Sequence, residues 1–230
     1  PPATPPSPPS VPRIATGKGT DSPSAAEQTT IMAATFDGGV VMGADSRTSN
    51  GSYVANKAAD KLTQLADRVY ICRSGSAADT QAISSYVQHF LNQHGMESGE
   101  PVTVKNAAMA VRTIAYQNKA NLMAGMIVAG WDRDEGGSIW SVPLGGTLLP
   151  VPVVCGGSGS IYVSGFMDKF WRPNMTRDEC REFVIKTVSL AMSRDGSSGG
   201  CIRTCVIDKD GVTKSFVPGS DVPRYQDELA

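Results

Sequence analysis

The chain has 230 residues, 40% of them hydrophobic and 19% charged, enough to bury a sizeable core in one large domain or two small ones. Its formal net charge of -1 leaves no electrostatic footprint for nucleic acid or an anionic membrane. No run reaches the ~18 consecutive apolar residues of a transmembrane helix, and no secretory signal pattern opens the chain.

Residues 1–28 carry eight of the fifteen prolines and almost no large apolar side chain. Such a segment cannot offset its ordering entropy by burial, so 1–28 reads as a disordered pro-segment and 29–230 as the folded domain. Ile31, Ala33 and Thr35 alternate with Thr30, Met32 and Ala34. The turn Asp37-Gly38-Gly39 then leads into a second strand over 40–44, a hairpin signal. A short strand over 69–73 ends in Ser74-Gly75-Ser76. Apolar residues from Ala82 to Leu91 recur at helical spacing and predict a helix over 77–93. A second helix follows the N-cap candidate Thr103. Strands are expected at 123–131 and 138–143, joined by the turn 134–137. Thr176-x-x-Glu179 is a capping box that opens a further helix. Strands at 201–207 and 212–217 close the domain across Asp210-Gly211. The grouping of strands, two helices, strands, helix and strands excludes regular βαβ alternation. It predicts α+β, with antiparallel sheets packed face to face and helices outside.

Five cysteines, Cys72, Cys155, Cys180, Cys201 and Cys205, form no C-x-x-C pair. This fits a reducing intracellular compartment rather than a zinc site or a disulfide framework. The two histidines, His89 and His94, fall in or near one amphipathic helix and read as surface or packing residues. A histidine-centred triad and a histidine-bound metal are therefore not expected, nor is any cofactor. Gly156-Gly157-Ser158-Gly159-Ser160 lacks the Gly-Lys-Ser/Thr ending and the βαβ context of a nucleotide loop. Asp195 to Gly200 reads equally as a helix-to-strand loop. Asp45 and Lys61 suit a buried ion pair, structural or catalytic. Arg73 reads alone as a solvated strand-end arginine, and Thr29 alone as an ordinary strand threonine.

Together these pieces resemble a known family. Thr29-Thr30-Ile31-Met32-Ala33, Gly43-Ala44-Asp45-Ser46-Arg47, Asp60-Lys61-Leu62, the run Arg73 to Asp79, Gly157-Ser158-Gly159-Ser160 and Arg194-Asp195-Gly196-Ser197-Ser198-Gly199-Gly200 are similar, in order and spacing, to catalytic beta subunits of the eukaryotic 20S proteasome. Within that family the likeness is to the caspase-like type, which cleaves after acidic residues. The resemblance implies the N-terminal nucleophile hydrolase fold, a four-layer αββα sandwich. It also implies partnership with other alpha and beta subunits in four stacked heptameric rings, unfolded polypeptides as substrates, and a cytoplasmic and nuclear location.

The chemistry implied needs no histidine. Thr29 becomes the first residue when 1–28 is removed, and its hydroxyl attacks a peptide carbonyl. Its new α-amine, of a kind that titrates near ~8, serves as base through a water. By resemblance, Lys61 sits beside the hydroxyl and favours its alkoxide-like state, Asp45 orients Lys61, and the Gly75 N–H is the oxyanion donor. Ser158, Asp195 and Ser198 are expected around the Thr29 amine and hydroxyl. Arg73 is implied as the floor of the pocket for the residue before the scissile bond, with Thr48, Ala59, Thr63, Ala77 and Gln81 around it. A buried guanidinium there selects a carboxylate. The main chain at Ser49 and Ala77 would pair with an extended substrate. Gln28 stands where the family usually has Gly, and Ser49 where it usually has Thr. Gln28 keeps a second reading open, an unprocessed beta subunit that serves assembly. A small-molecule amidase of the same fold leaves the run Arg73 to Asp79 unexplained.

Overall fold

The computed structural model describes residues 29–50 and 53–223. The expected pro-segment 1–28, with Gln28, lies outside the described residues. One sheet orders its strands β10 (Val153–Gly156), β1 (Ile31–Phe36), β2 (Gly39–Asp45), β11 (Ile202–Asp208) and β12 (Gly211–Val217). The other orders β5 (Leu62–Ala66), β6 (Val69–Gly75), β7 (Ala124–Asp132), β8 (Gly136–Val142) and β9 (Leu149–Pro150). All pairings in both sheets are antiparallel. A small hairpin, β3 (Thr48–Asn50) with β4 (Tyr53–Asn56), stands apart.

Strand alternation builds the layers. Ile31 and Ala33 of β1, Val40 and Met42 of β2, Tyr70 and Cys72 of β6, and Ile127 and Ala129 of β7 fill the space between the sheets. The intervening residues point outward. Val69, Ile71, Met126 and Val128 meet helices α1 (Ala77–Ser98) and α2 (Val104–Gln117). Met32, Ala34, Val41 and Val206 meet α3 (Ser160–Phe170) and α4 (Arg177–Arg194). The strands of the sheet centres are thus apolar on both faces, and each helix pair covers one outer face. The result is the four-layer αββα sandwich expected from the sequence.

Differences from the sequence reading have local causes. Helix α1 continues past 93 to Ser98, because its last turn is exposed and carries no apolar signal; it stops at Gly99 with φ 68°. Helix α3 opens on Ser160 and contains Gly165, and its N-cap Gly159 supplies no side-chain bond, so no cap marks it, although Val163, Phe166, Met167 and Phe170 recur at helical spacing. Strand β5 is five residues long, with a register shift between Gln64 and Ala66 that breaks its alternation. Strands β3, β4, β9 and β10 are too short, at two to four residues, for a periodic pattern. The capping box at Thr176 is present, with Thr176 and Glu179 bonding each other's backbone N–H.

Candidate active site

The site lies at the open end of the two sheets, where β1 begins. Asp45 is the last residue of β2, and the β1–β2 register sets it beside Thr29 and Thr30: the Asp45 N–H donates to the Thr30 carbonyl at 3.1 Å. Lys61 enters from the segment just before β5. All three side chains, Thr29, Asp45 and Lys61, are buried.

The Asp45 carboxylate is the hub. Its Oδ1 accepts from Lys61 Nζ at 2.8 Å, from the Thr30 N–H at 2.9 Å and from the Thr29 hydroxyl at 3.0 Å. Its Oδ2 accepts from the N–H groups of Arg47 at 3.1 Å and Gly199 at 3.0 Å. Three backbone donors and one ammonium so satisfy a carboxylate that has no access to water. Lys61 Nζ is equally committed. It donates to Asp45, to the Arg47 carbonyl at 2.6 Å and to Thr29 Oγ1. A cation therefore touches the one hydroxyl that would carry negative charge during attack. That contact stabilises an oxyanion on Thr29 far more in a buried place than it would in water.

A second group holds the Thr29 backbone. The Thr29 N–H donates to Ser158 Oγ at 3.1 Å, and the Ser158 hydroxyl donates to Asp195 Oδ2 at 2.7 Å. The Ser198 hydroxyl donates to the same oxygen at 2.6 Å. Burial pushes the Asp195 carboxyl up, but hydrogen bonds from Ser158, Ser198 and Ser197 outweigh it and hold the group below its ordinary value. The sequence expectation set Ser198 around Thr29. The structure places it on Thr30, whose Oγ1 lies 2.7 Å from Ser198 Oγ. Successive residues of an extended chain point to opposite sides, so one serine cannot serve both threonines. Asp195 likewise reaches Thr29 only through Ser158.

Two glycines shape the backbone here. Gly75 has φ +106°, and a Cβ on it would strike the Met123 carbonyl. Gly157 has φ +85°, and a Cβ on it would strike the Thr29 carbonyl. Both conformations are open to glycine and strained for other residues. Gly75, Gly157 and Ser158 line one cavity, which brings the expected oxyanion donor to the Thr29 side of the sandwich.

The profile of the family described as "Proteasome subunit" matches residues 26–207. Proteasome subunit beta type-6 of Arabidopsis thaliana is 55% identical over 201 residues, 87% of this chain and 86% of that protein. Proteasome subunit beta type-6 of Dictyostelium discoideum is 53% identical over 197 residues, 86% of this chain and 92% of that protein. Proteasome subunit beta type-9 of Rattus norvegicus is 47% identical over 200 residues, 87% of this chain and 91% of that protein. The chain belongs to the proteasome beta-subunit family.

The residues expected to bind substrate in this beta subunit fall on four elements and one loop. Arg73 of β6 and Thr63 of β5 share the sheet face that α1 covers, since Thr63 pairs with Ile71 and Ile71 precedes Arg73 by two. Ala77 and Gln81 lie one turn apart on α1, both exposed. Thr48 and Ala59 are half-buried, and Ser49 is buried on β3. The Ala59 N–H donates to the Ser46 carbonyl at 3.0 Å. Arg73 is half-buried rather than buried. Its Nη2 donates to the Asp60 carbonyl at 3.1 Å, while its Nε is buried with no partner.

Sequence reasoning missed several contributors. Thr30 and Gly199 hold Asp45 through backbone N–H groups, and Arg47 offers Lys61 a backbone carbonyl. The Arg47 guanidinium also donates to the Gly196 carbonyl at 2.9 Å, tying the strand end to the Asp195 loop. Ser46 accepts from the Cys201 N–H at 2.9 Å and donates to the Lys57 carbonyl at 2.5 Å. Thr30, Ser46, Arg47, Gly196 and Gly199 fall inside the sequence runs that carried the resemblance, and Lys57 and Cys201 outside them, but their roles rest on main-chain geometry.

Proposed function

We propose that this chain is a threonine endopeptidase subunit of a 20S proteasome core, and that it hydrolyses unfolded polypeptides after acidic residues once residues 1–28 are removed. One observation carries the reading: Lys61 Nζ, fixed by Asp45 and the Arg47 carbonyl, donates to the Thr29 hydroxyl in a buried site. Removal of 1–28 turns the Thr29 nitrogen into a free amine at the position where Ser158 already receives it. That amine takes the hydroxyl proton, through a water, as Oγ1 bonds to the substrate carbonyl carbon. The Gly75 N–H faces the oxygen that gains charge. Ser158 and Asp195 orient the amine.

The acidic preference is supported by Arg73. A guanidinium edge buried without a partner is costly, and a substrate carboxylate supplies the missing acceptor. Assembly with alpha and beta subunits in four stacked heptameric rings, in cytoplasm and nucleus, follows from the same family reading.

The test is the assembled particle bearing Thr29→Ala in this chain. Cleavage after glutamate should vanish while the particle still assembles. Intact mass of the wild-type chain should correspond to an N-terminus at Thr29. A wild-type chain that keeps residues 1–28 in the mature particle would instead establish the unprocessed assembly subunit.

A further inference from the structure

A cavity of about 470 Å³ opens beside the site, within the ~300–1,000 Å³ range of small-ligand pockets. Its far wall is apolar: Met123, Met126, Pro143, Leu144, Val154 and Cys155. Its near wall is Ser74, Gly75, Gly157 and Ser158, the backbone and side chain that flank Thr29. The cavity is not the Arg73 pocket. Arg73 and Ser74 are consecutive in β6, so their side chains leave opposite faces of the sheet. Arg73 is on the face covered by α1. Ser74 is on the face toward the other sheet and lines the cavity.

The order of events in peptide cleavage assigns the occupant. Thr29 Oγ1 forms a bond to the scissile carbonyl carbon, and the C–N bond then breaks. The hydroxyl proton passes to the Thr29 amine and from there to the departing nitrogen; water later hydrolyses the ester. The departing nitrogen must therefore lie within reach of the Thr29 nitrogen. That nitrogen is held at 3.1 Å from Ser158 Oγ, on the cavity wall. The residue before the scissile bond turns toward Arg73, so the residue after it turns into the cavity.

We propose that this cavity is a specificity pocket for the first residue of the leaving fragment, and that it selects a medium-sized apolar side chain such as Leu or Met. The proposal rests on the threonine-peptidase function above. Two of the three serines on the wall, Ser74 and Ser158 but not Ser141, support it, because their hydroxyl protons are already committed. Ser74 donates to the Gly125 carbonyl at 2.8 Å and Ser158 to Asp195. Burial pushes the Cys155 thiol up to about 12, so Cys155 offers an apolar surface and not a nucleophile. Among the described residues no charged side chain lines these walls, and a charged side chain would lose its water without gaining a partner.

The experiment digests matched peptides with the assembled particle and maps cleavage by mass spectrometry. All peptides carry Glu before the scissile bond, with Leu, Ser, Asp or Lys after it; a second set varies the residue before the bond with Leu fixed after it. Wild type should cleave before Leu at least about tenfold faster than before Asp or Lys, the scale set by burying one apolar side chain. Leu144 is 61% exposed at the cavity rim, so its substitution spares the core. Leu144→Lys should favour Asp over Lys and lower the Leu preference, and Leu144→Met should keep the wild-type pattern. Equal rates for Leu, Asp and Lys in wild type would overturn the proposal, as would a Leu144→Lys pattern unchanged from wild type. The second peptide set reports on Arg73 separately, so loss of the acidic preference and loss of the leaving-side preference appear in different comparisons.

Discussion

The proposed catalytic cluster and the arginine beside it are built on opposite plans. Around Asp45 and Lys61 every polar atom has a partner: the carboxylate accepts five hydrogen bonds, three of them from backbone N–H groups, and the ammonium donates to three acceptors. Arg73, whose backbone N–H donates to the Lys61 carbonyl, makes one side-chain bond, to the Asp60 carbonyl, and leaves Nε buried and unmatched. The cluster spends its free energy during folding and offers the substrate a fixed field. The arginine is left under-satisfied, and in the proposed function a substrate carboxylate completes its missing interaction. Chemistry calls for preorganisation, whereas selection calls for a group that gains on binding.

That contrast can be broken at its strongest point. Lys61→Ala removes the only ammonium in contact with Thr29 Oγ1 among the described residues and strands the Asp45 carboxylate. Activity at this site should fall by ~10³–10⁴-fold, the scale of losing one member of a nucleophile–base set. Removal of residues 1–28 should fail with it where, as proposed, the chain matures through the same Thr29 hydroxyl. Intact mass and peptide turnover of the assembled particle check both; a Lys61→Ala chain that matures at the wild-type rate would reduce Lys61 to a structural cation.

Arg73→Ala tests the other half with a smaller effect. The ratio of kcat/KM for Glu over Leu before the scissile bond should drop ~10–100-fold, as expected for one charge-assisted contact. Parallel turnover of the two peptides measures it. A ratio that stays put places acid selection elsewhere in the pocket.

The smallest effect concerns Asp195, which belongs to the satisfied side. Its carboxyl lies below the ordinary 3.8 in the folded chain, so the unfolded chain binds the proton more tightly. The associated stability is present above that value and is lost as pH falls through the folded one. Asp195→Asn should therefore cost about 1–2 kcal/mol at pH 7, with the gap to wild type closing as pH falls below about 4. Urea unfolding of both chains at a series of pH values follows the closure; a gap that is constant down to pH 3 would show that the carboxylate charge contributes nothing.

The layers were legible in the sequence because alternation in β1, β2, β6 and β7 is backed by burial on both faces. Asp45, Lys61 and Thr29 were legible only as a set of motifs, and the structure brings them into mutual contact. Less was available elsewhere. The Arg47 carbonyl and the Gly199 N–H do as much for the site as any side chain, and no letter of the sequence encodes where a peptide group points. Ser198 was assigned to the neighbourhood of Thr29 when its partner is Thr30, a one-residue distinction that depends on which side of the strand faces the Asp195 loop. The apolar cavity draws on β1, β6, β7, β8 and β10, and a wall shared by five strands has no signature along the chain.

The bond from the Gly199 N–H to Asp45 has a consequence for timing. It joins positions 154 residues apart in the chain. Contacts of such long sequence separation carry a heavy loop-closure cost and tend to be made late in folding. Asp45 therefore obtains its full set of donors only after β11 has docked against β2, one of the longest closures in the molecule. A nascent or half-folded chain already contains Thr29 and Lys61 but lacks the scaffold that aims them. On the proposed function, the fold thus delays its own chemistry: the donor set that holds Asp45, and through it Lys61 and Thr29, is complete only once this long closure has been made.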